Sequence, residues 1–387
     1  MRLHRGSSKA EDGSSPSRRS LASFCARVRS DARIPQASQV VAASLGLAGP
    51  IAAGAMVGHA RLGVVVALGG LALGRGGTGK TFREQRRGLL CSLMAGSLAV
   101  FIGSAVAGNS ALTTFGLPAL AGLAALFGSI SRPLALVTTQ FIIYLIIAAS
   151  LGAPGTPPLG VALLFFLGAA WTIVLSLGLK PLFRVAGLAS APHANVAMAP
   201  RYPIRLLLRR WWKTLAHLSG WQYVIRLTLC LAAAGTFEWI WPHHHGYWVY
   251  ITVVIVVRRN LQDALSRTFH RAAGTALGVL FISLLLLASP PLWATIAIIA
   301  ALAATRTILY EVNYTAYATV MTPLVILLLD FGQDPSWAAI IDRLGATIFG
   351  CALSLTLGYL IWFRITPPAS VTVRSKGNLA PVADENT

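Results

Sequence analysis

The run 62-LGVVVALGGLAL-73 leads directly into 74-GRGGTGKT-81, and two folds compete for it. Gly74, Gly79, Lys80 and Thr81 satisfy G-x-x-x-x-G-K-[ST], the phosphate loop that follows a buried strand in many nucleotide hydrolases. Read that way, the apolar run is the strand. Read the other way, it is a short membrane crossing and the glycines form the loop beyond it. The rest of the chain decides between them.

The chain has 387 residues, of which 55% are hydrophobic and only 11% charged, with a mean hydropathy of +0.67. Soluble domains carry about 25% charged residues. The deficit, together with repeated apolar runs of spanning length, predicts an all-α multi-span membrane protein. The net charge of +20 comes from 32 Lys+Arg against 12 Asp+Glu. These basic residues lie between apolar runs rather than on a soluble basic face, so they read as membrane topology and not as nucleic-acid binding. The four cysteines are far apart and outline neither a disulfide framework nor a zinc site.

Residues 1–40 read as a basic cytoplasmic tail, without the apolar core and cleavage site of a secretory signal. Six apolar segments follow within 41–179: about 41–58, 61–74, 88–107, 111–129, 133–151 and 158–179. Residues 180–221 form a basic linker, in which Leu207, Leu208, Trp211, Trp212 and Leu215 share a helical face and predict a helix lying in the membrane interface. Six more segments lie within 222–363: about 222–241, 246–257, 272–288, 290–305, 312–330 and 338–363, followed by a tail, 364–387. About twelve transmembrane helices put both termini on one side. With that side cytoplasmic, nearly all Lys and Arg fall inside, Arg61 and Arg343 being the exceptions, while Glu238, Asp330, Asp334 and Asp342 fall outside. This is the positive-inside pattern of a multi-pass inner (plasma) membrane protein with cytoplasmic ends.

The halves repeat. A shift of 184 positions carries Arg75, Arg83 and Arg87 onto Arg259, Arg267 and Arg271, so both halves read R-x7-R-x3-R after their second crossing. Six crossings per half is an even number, which predicts two parallel six-helix repeats about an axis along the membrane normal. The second crossing of each half is short, 61–74 and 246–257, and matched short segments point to a transport site. The two arginine triplets would gather at one cytoplasmic mouth, where guanidinium groups attract carboxylates and phosphates. Anchoring of helix ends in lipid headgroups is the other reading of the same residues.

This topology answers the opening question. The hydrolase reading needs a carboxylate for magnesium, and Asp330 at the end of 325-VILLLD-330 is the candidate. It falls on the face opposite Lys80, across a hydrocarbon core of about 30 Å. The repeat copy of the loop, 258-RRNLQDALSR-267, has no such motif, and no Asp or Glu lies between Glu84 and Glu238. In 241-WPHHHGYW-248 three consecutive histidines do not converge on one ion unless the loop folds back, so the segment reads as an outer rim that titrates near neutrality rather than as a metal site. No catalytic residue, cofactor or metal ligand is assigned.

The stretch 246-GYWVYITVVIVVRRNLQDALSRTFHRAAGTALG-278 resembles the fusaric acid resistance protein-like family, which includes bacterial aromatic acid exporters. Tyr247, Trp248, Thr252, Arg267, Arg271, Gly274 and Thr275 carry the resemblance, and 317-YATVMTPLVILLLD-330 with Asp342 and Arg343 extends it. It covers roughly 222–363 and is weaker in the first half, where Arg83, Arg87 and Gly88 are the main echo. The resemblance implies export of organic, often aromatic, carboxylates across the inner membrane, and a periplasmic adaptor as partner in a Gram-negative envelope. Longer relatives carry large cytoplasmic domains after each six-helix block, where this sequence reads as a linker of about 40 residues and a short tail. The expected substrate-binding set is Arg75, Arg83, Arg87, Arg259, Arg267 and Arg271 at the mouth, with Tyr247, Trp248 and Thr252 lining or bracing the path beyond. A passive anion channel and a non-transporting accessory subunit are the alternatives.

Overall fold

The computed structural model describes residues 37–73, 82–152, 157–185, 203–240, 246–258, 261–329, 331 and 337–360. The phosphate-loop match at 74–81, the histidine run at 243–245, Arg75, Arg259 and Asp330 lie outside them. The described residues are helical nearly throughout. In chain order the helices are α1 (Ala37–Met56), α2 (Ala60–Leu73), α3 (Phe82–Val106), α4 (Leu117–Gly128), α5 (Arg132–Leu151), α6 (Pro158–Val185) and α7 (Ile204–Leu215), then α8 (Leu218–Ile240), α9 (Tyr247–Val256), α10 (Leu261–Leu287), α11 (Leu292–Val312), α12 (Tyr314–Leu329) and α13 (Trp337–Leu355). A π-helical turn, Leu112–Gly116, leads into α4, and another, Thr356–Leu360, extends α13. Each apolar segment read from the sequence holds one of these helices.

Local chemistry sets several boundaries. Gly58 ends α1 with φ 78°, a left-handed conformation that suits glycine, and the chain turns straight into α2. Ser131, two residues ahead of Pro133, caps α5 by accepting from the Leu134 N–H. Asn313 stops α11 and starts α12, its Oδ1 accepting from the Thr315 N–H at 2.9 Å.

Among the described residues seven helices, α1, α3, α5, α6, α10, α11 and the extended α13, are long and apolar enough to cross a membrane, and α2, α4 with its π-turn, α9 and α12 are shorter apolar helices. Large apolar side chains such as Phe101, Phe115, Leu123, Trp171 and Leu284 point outward. In water such a surface would be an aggregation liability, whereas lipid solvates it, and helices keep their backbone groups satisfied within themselves there. The protein is a multi-pass membrane protein.

The packing follows small residues. A Cβ on Gly69 would lie 2.0 Å from the Phe165 carbonyl oxygen, so α2 and α6 touch backbone to backbone. In the first half α1 packs on α2 and α6, α2 on α3 and α6, α3 on α5 and α6, and α4 on α5. In the second, α8 packs on α9 and α13, α9 on α10 and α13, α10 on α12 and α13, and α11 on α12. Between them α11 meets α1, α4 meets α8, α5 meets α9 and α2 meets α12.

One expectation is corrected. The sequence reading placed 75–87 and 258–271 in loops. Residues 82–87 and 261–271 are instead the first turns of α3 and α10. Leu, Gln, Ala, Ser and Arg are adequate helix formers, and a helix can extend beyond the hydrocarbon without losing backbone pairing. Arg271 therefore sits about 15 Å along α10 at 1.5 Å per residue, inside the bundle.

Candidate functional site

Helix α9 is the centre of the candidate site. Its ten residues, YWVYITVVIV, are apolar almost all round, and a helix of that pattern must be buried on every side. Every residue of it except Ile255 is buried. Its β-branched content gives it little intrinsic helicity, so tertiary packing holds it. At about 15 Å it reaches halfway through a 30 Å hydrocarbon core. Its C-terminal end is closed by one residue of the α13 extension: the Tyr359 hydroxyl donates to the Arg258 carbonyl at 2.6 Å and accepts from the Arg258 N–H.

On α9 the Tyr247 and Trp248 rings lie 4.6 Å apart and both are buried. The Arg343 guanidinium, from α13, sits 3.4 Å from the centroid of the Trp248 ring. Arg343 is only 2% exposed, and its Nε and Nη1 have no hydrogen-bond partner. Arg271, from α10, is 3% exposed with its Nε unpartnered, and it lies near enough to Arg343 for the two charges to repel. One turn beyond Arg271, the fully buried Thr275 hydroxyl is also unpartnered. Two buried guanidinium groups with open hydrogen-bonding capacity and an aromatic face beside them are equipped to hold an anion.

Thr252 has a different part. It is fully buried, but its hydroxyl donates to the Trp248 carbonyl at 2.9 Å, and its side chain lies against α13 where a Cβ on Gly350 would approach within 2.9 Å. It braces the α9–α13 contact that holds Trp248 against Arg343. Arg267, one turn before Arg271, stacks over the Tyr314 ring at 3.6 Å, and His270 Nδ1 lies 2.6 Å from Thr315 Oγ1. Both contacts tie the start of α10 to the start of α12.

The structure thus brings Arg271, Tyr247, Trp248 and Thr252 together and places Arg267 next along α10. Arg87 is exposed on α3, and Arg83 belongs to the same helix. Sequence reasoning named Arg343 as an exception to the charge pattern and as part of the resemblance, but not in the substrate-binding set, yet its guanidinium lies over the Trp248 ring. Its signal was an ionisable pair, Asp342 and Arg343, inside the otherwise apolar segment 337-WAAIIDRLGATIFGCALSL-355, and such residues by default mark function. Arg306, expected at a cytoplasmic end, is also buried; its Nη1 donates to the Leu71 carbonyl at the end of α2 at 3.3 Å. Gln140 Nε2 donates to the neighbouring Ala72 carbonyl at 3.2 Å.

Comparison with known proteins agrees with the resemblance. Residues 229–357, from within α8 into the π-helical turn after α13, match the fusaric acid resistance protein-like family. The chain is 32% identical over 145 residues to an uncharacterized protein of Neisseria gonorrhoeae, a match covering 36% of this chain and 34% of that one. It is 25% identical over 162 residues to an uncharacterized protein of Synechocystis sp., covering 40% of this chain and 21% of that one. The matched segments therefore span about a third and about a fifth of these relatives' lengths. No solved structure matches.

Proposed function

We propose that the protein exports organic anions, aromatic carboxylates among them, across the inner membrane, and that the Arg271–Arg343 pair beside Trp248 holds the anion in transit. The observation that carries this reading is the burial of two mutually repelling guanidinium groups with unpartnered nitrogens. Burying a lone charge costs several kcal/mol even after relaxation, and here two are buried together. A passing carboxylate would relieve that cost, while the Trp248 and Tyr247 rings would favour an aromatic body over an inorganic ion.

The membrane path is two six-helix repeats, α1–α6 and α8–α13, giving twelve crossings with both termini cytoplasmic. Supporting this, each packing pair within the first half has its counterpart in the second: α1–α2 answers to α8–α9, α3–α5 to α10–α12, α2–α6 to α9–α13. The contacts between halves pair likewise, α1–α11 with α8–α4 and α5–α9 with α12–α2. In this frame Arg75, Arg83, Arg87, Arg259 and Arg267 collect the anion at the cytoplasmic mouth. Lipid and a small organic anion are the partners, joined by a periplasmic adaptor in a Gram-negative envelope.

The test is flux of a labelled aromatic carboxylate in proteoliposomes of the purified chain without nucleotide. Arg271→Gln and Arg343→Gln each should abolish it, and Lys80→Ala should leave it intact. Equal flux on imposing or collapsing a proton gradient would assign a passive channel. No flux from folded protein across a panel of carboxylates would refute transport by this chain alone and favour the accessory role.

A further inference from the structure

A second polar site lies apart from the arginine pair, where α7 turns into α8. The segment 204-IRLLLRRWWKTLAHLSGWQYVIR-226 holds five basic residues and no acid. On α7, Leu207, Trp211 and Leu215 are half-buried against the bundle, while Arg205, Arg209, Arg210 and Lys213 are exposed. Leu208 and Trp212 are exposed as well, Trp212 to 67%. A basic amphipathic helix that also shows a tryptophan outward suits the headgroup layer of a membrane.

The helix is held firmly. Trp211 Nε1 donates to Ser129 Oγ at 2.7 Å, and its ring stacks on Phe127, so α7 is fixed to the end of α4. Trp221 Nε1 donates to the Leu215 carbonyl at 2.9 Å, closing the end of α7. A Cβ on Gly220 would lie 2.3 Å from the Thr214 carbonyl oxygen, so the turn closes this tightly only with glycine.

This clamped turn borders a half-open cavity of about 150 Å³ whose wall includes Ser129, Thr214, Gly220, Gln222, Tyr223 and Arg226. Each water in the liquid takes about 30 Å³, so the space is roomy for a polar group. Its wall is predominantly polar, contains one cation and contains no carboxylate. That cation, Arg226, is only 7% exposed; its Nε donates to the Gln222 carbonyl at 3.1 Å, and its guanidinium lies 5.3 Å from the centroid of the Tyr359 ring. Tyr359 is the residue whose hydroxyl closes the end of α9.

We infer that this cavity binds the phosphate of an anionic phospholipid headgroup, with Arg226 as its charged contact, and that occupancy braces the end of α9 through Tyr359. Charge decides the ligand class: a polar wall with a buried guanidinium and no acid receives an anion. Location decides its source, since α7 lays basic and apolar side chains along the interface beside the cavity, where phospholipid phosphates are concentrated. This site does not depend on the transport reading, and its test measures no flux.

The experiment is thermal unfolding of the purified full chain in detergent, titrated with short-chain phosphatidylglycerol, phosphatidylcholine or inorganic phosphate. Phosphatidylglycerol should raise the unfolding temperature, with the other two giving little. Thr214→Met fills the cavity from an exposed position whose hydroxyl bonds only its own helix at the Arg210 carbonyl. It should weaken the phosphatidylglycerol response by about tenfold or more in concentration. Arg226→Gln should do the same, and where that variant fails to fold, Thr214→Met decides. Arg209→Gln with Arg210→Gln, which alters the helix but not the cavity, should keep the response. An unchanged response in Thr214→Met would overturn the site, and equal stabilisation by phosphatidylcholine would overturn its anion preference. Equal stabilisation by inorganic phosphate would replace the lipid with a free anion. Slower amide exchange at Val257 and Arg258 with phosphatidylglycerol bound is the expected mark of bracing, and unchanged exchange there would overturn that part.

Discussion

Replacing Arg343 with methionine should make the protein more stable and less able to hold its anion. Methionine keeps an unbranched side chain of similar length against Trp248. The substitution forfeits a desolvated cation–π contact at 3.4 Å, worth about 2 kcal/mol. It also removes a charge that is 2% exposed, with Nε and Nη1 unpartnered and Arg271 repelling it. The effective penalty for such a burial is several kcal/mol, and apolar replacement of buried ions is often stabilising by about 1–4 kcal/mol. The gain exceeds the loss, so the unfolding temperature should hold or rise. Binding should move the other way: one lost charge-assisted hydrogen bond is worth about 1.5–3 kcal/mol, roughly 10- to 100-fold in affinity. The assay pairs thermal unfolding without substrate with carboxylate binding to the same preparation. A variant that melts several degrees earlier and binds as before would refute the reasoning, because Arg343 would then be a structural tie.

Other contacts make separate predictions. Gly350→Val should push α9 from α13, since even a Cβ meets Thr252 at 2.9 Å and the Val249 carbonyl at 3.1 Å; overpacking of this kind costs about 1–3 kcal/mol and should appear as lower folded yield and melting temperature. Tyr359→Phe keeps the ring under Arg226 but loses both bonds to Arg258, at a cost of about 1–3 kcal/mol, so amide exchange at the end of α9 should quicken while the rest of the bundle is unchanged. Arg306→Met removes a donor that joins α11 to the Leu71 carbonyl across the two halves, and should lower stability by about 1.5–3 kcal/mol; a double-mutant cycle with Gln140→Leu, which serves the next carbonyl, should show coupling.

The helices were legible because lipid imposes a length and a composition on anything that crosses it. The twelve apolar segments and the amphipathic helix of the linker could be marked from runs and periodicity alone; of the five residues expected on one face of α7, Leu207, Trp211 and Leu215 are half-buried, whereas Leu208 and Trp212 are exposed. The site was legible in part. Tyr247, Trp248 and Arg271 were named from the motif, but nothing in a linear pattern shows that Arg343, some seventy residues beyond Arg271, lies over the Trp248 ring. Charge counting worked against it, since an arginine near a predicted outer end reads as a topological exception. The same counting sent Arg306 to the cytoplasmic surface, although its guanidinium closes a helix end inside the bundle. Loops were misread for a related reason: polar residues mark where hydrocarbon ends, and a helix need not end there.

The repeat itself can mislead about function. Arg87 and Arg271 occupy the same register, one shift of 184 apart, and from sequence they are equals. Arg87 is exposed on α3, whereas Arg271 is 3% exposed and adjoins Arg343. The same shift carries Arg343 back onto Leu159, so the first half has no second guanidinium at the matching place. On the transport proposal, anion holding is concentrated in the second half and Arg87 acts at a distance. An exposed charge attracts an anion through water and is screened over a Debye length of about 10 Å at 0.1 M salt, while a buried one is screened much less. Arg87→Gln should slow flux at low ionic strength and match the unaltered protein at high ionic strength. Arg271→Gln should lose flux at both. Flux series against salt for the two variants, with substrate held fixed, separate the roles. If the two curves run parallel, the repeat in sequence is also a repeat in mechanism, and the asymmetry argued from burial is wrong.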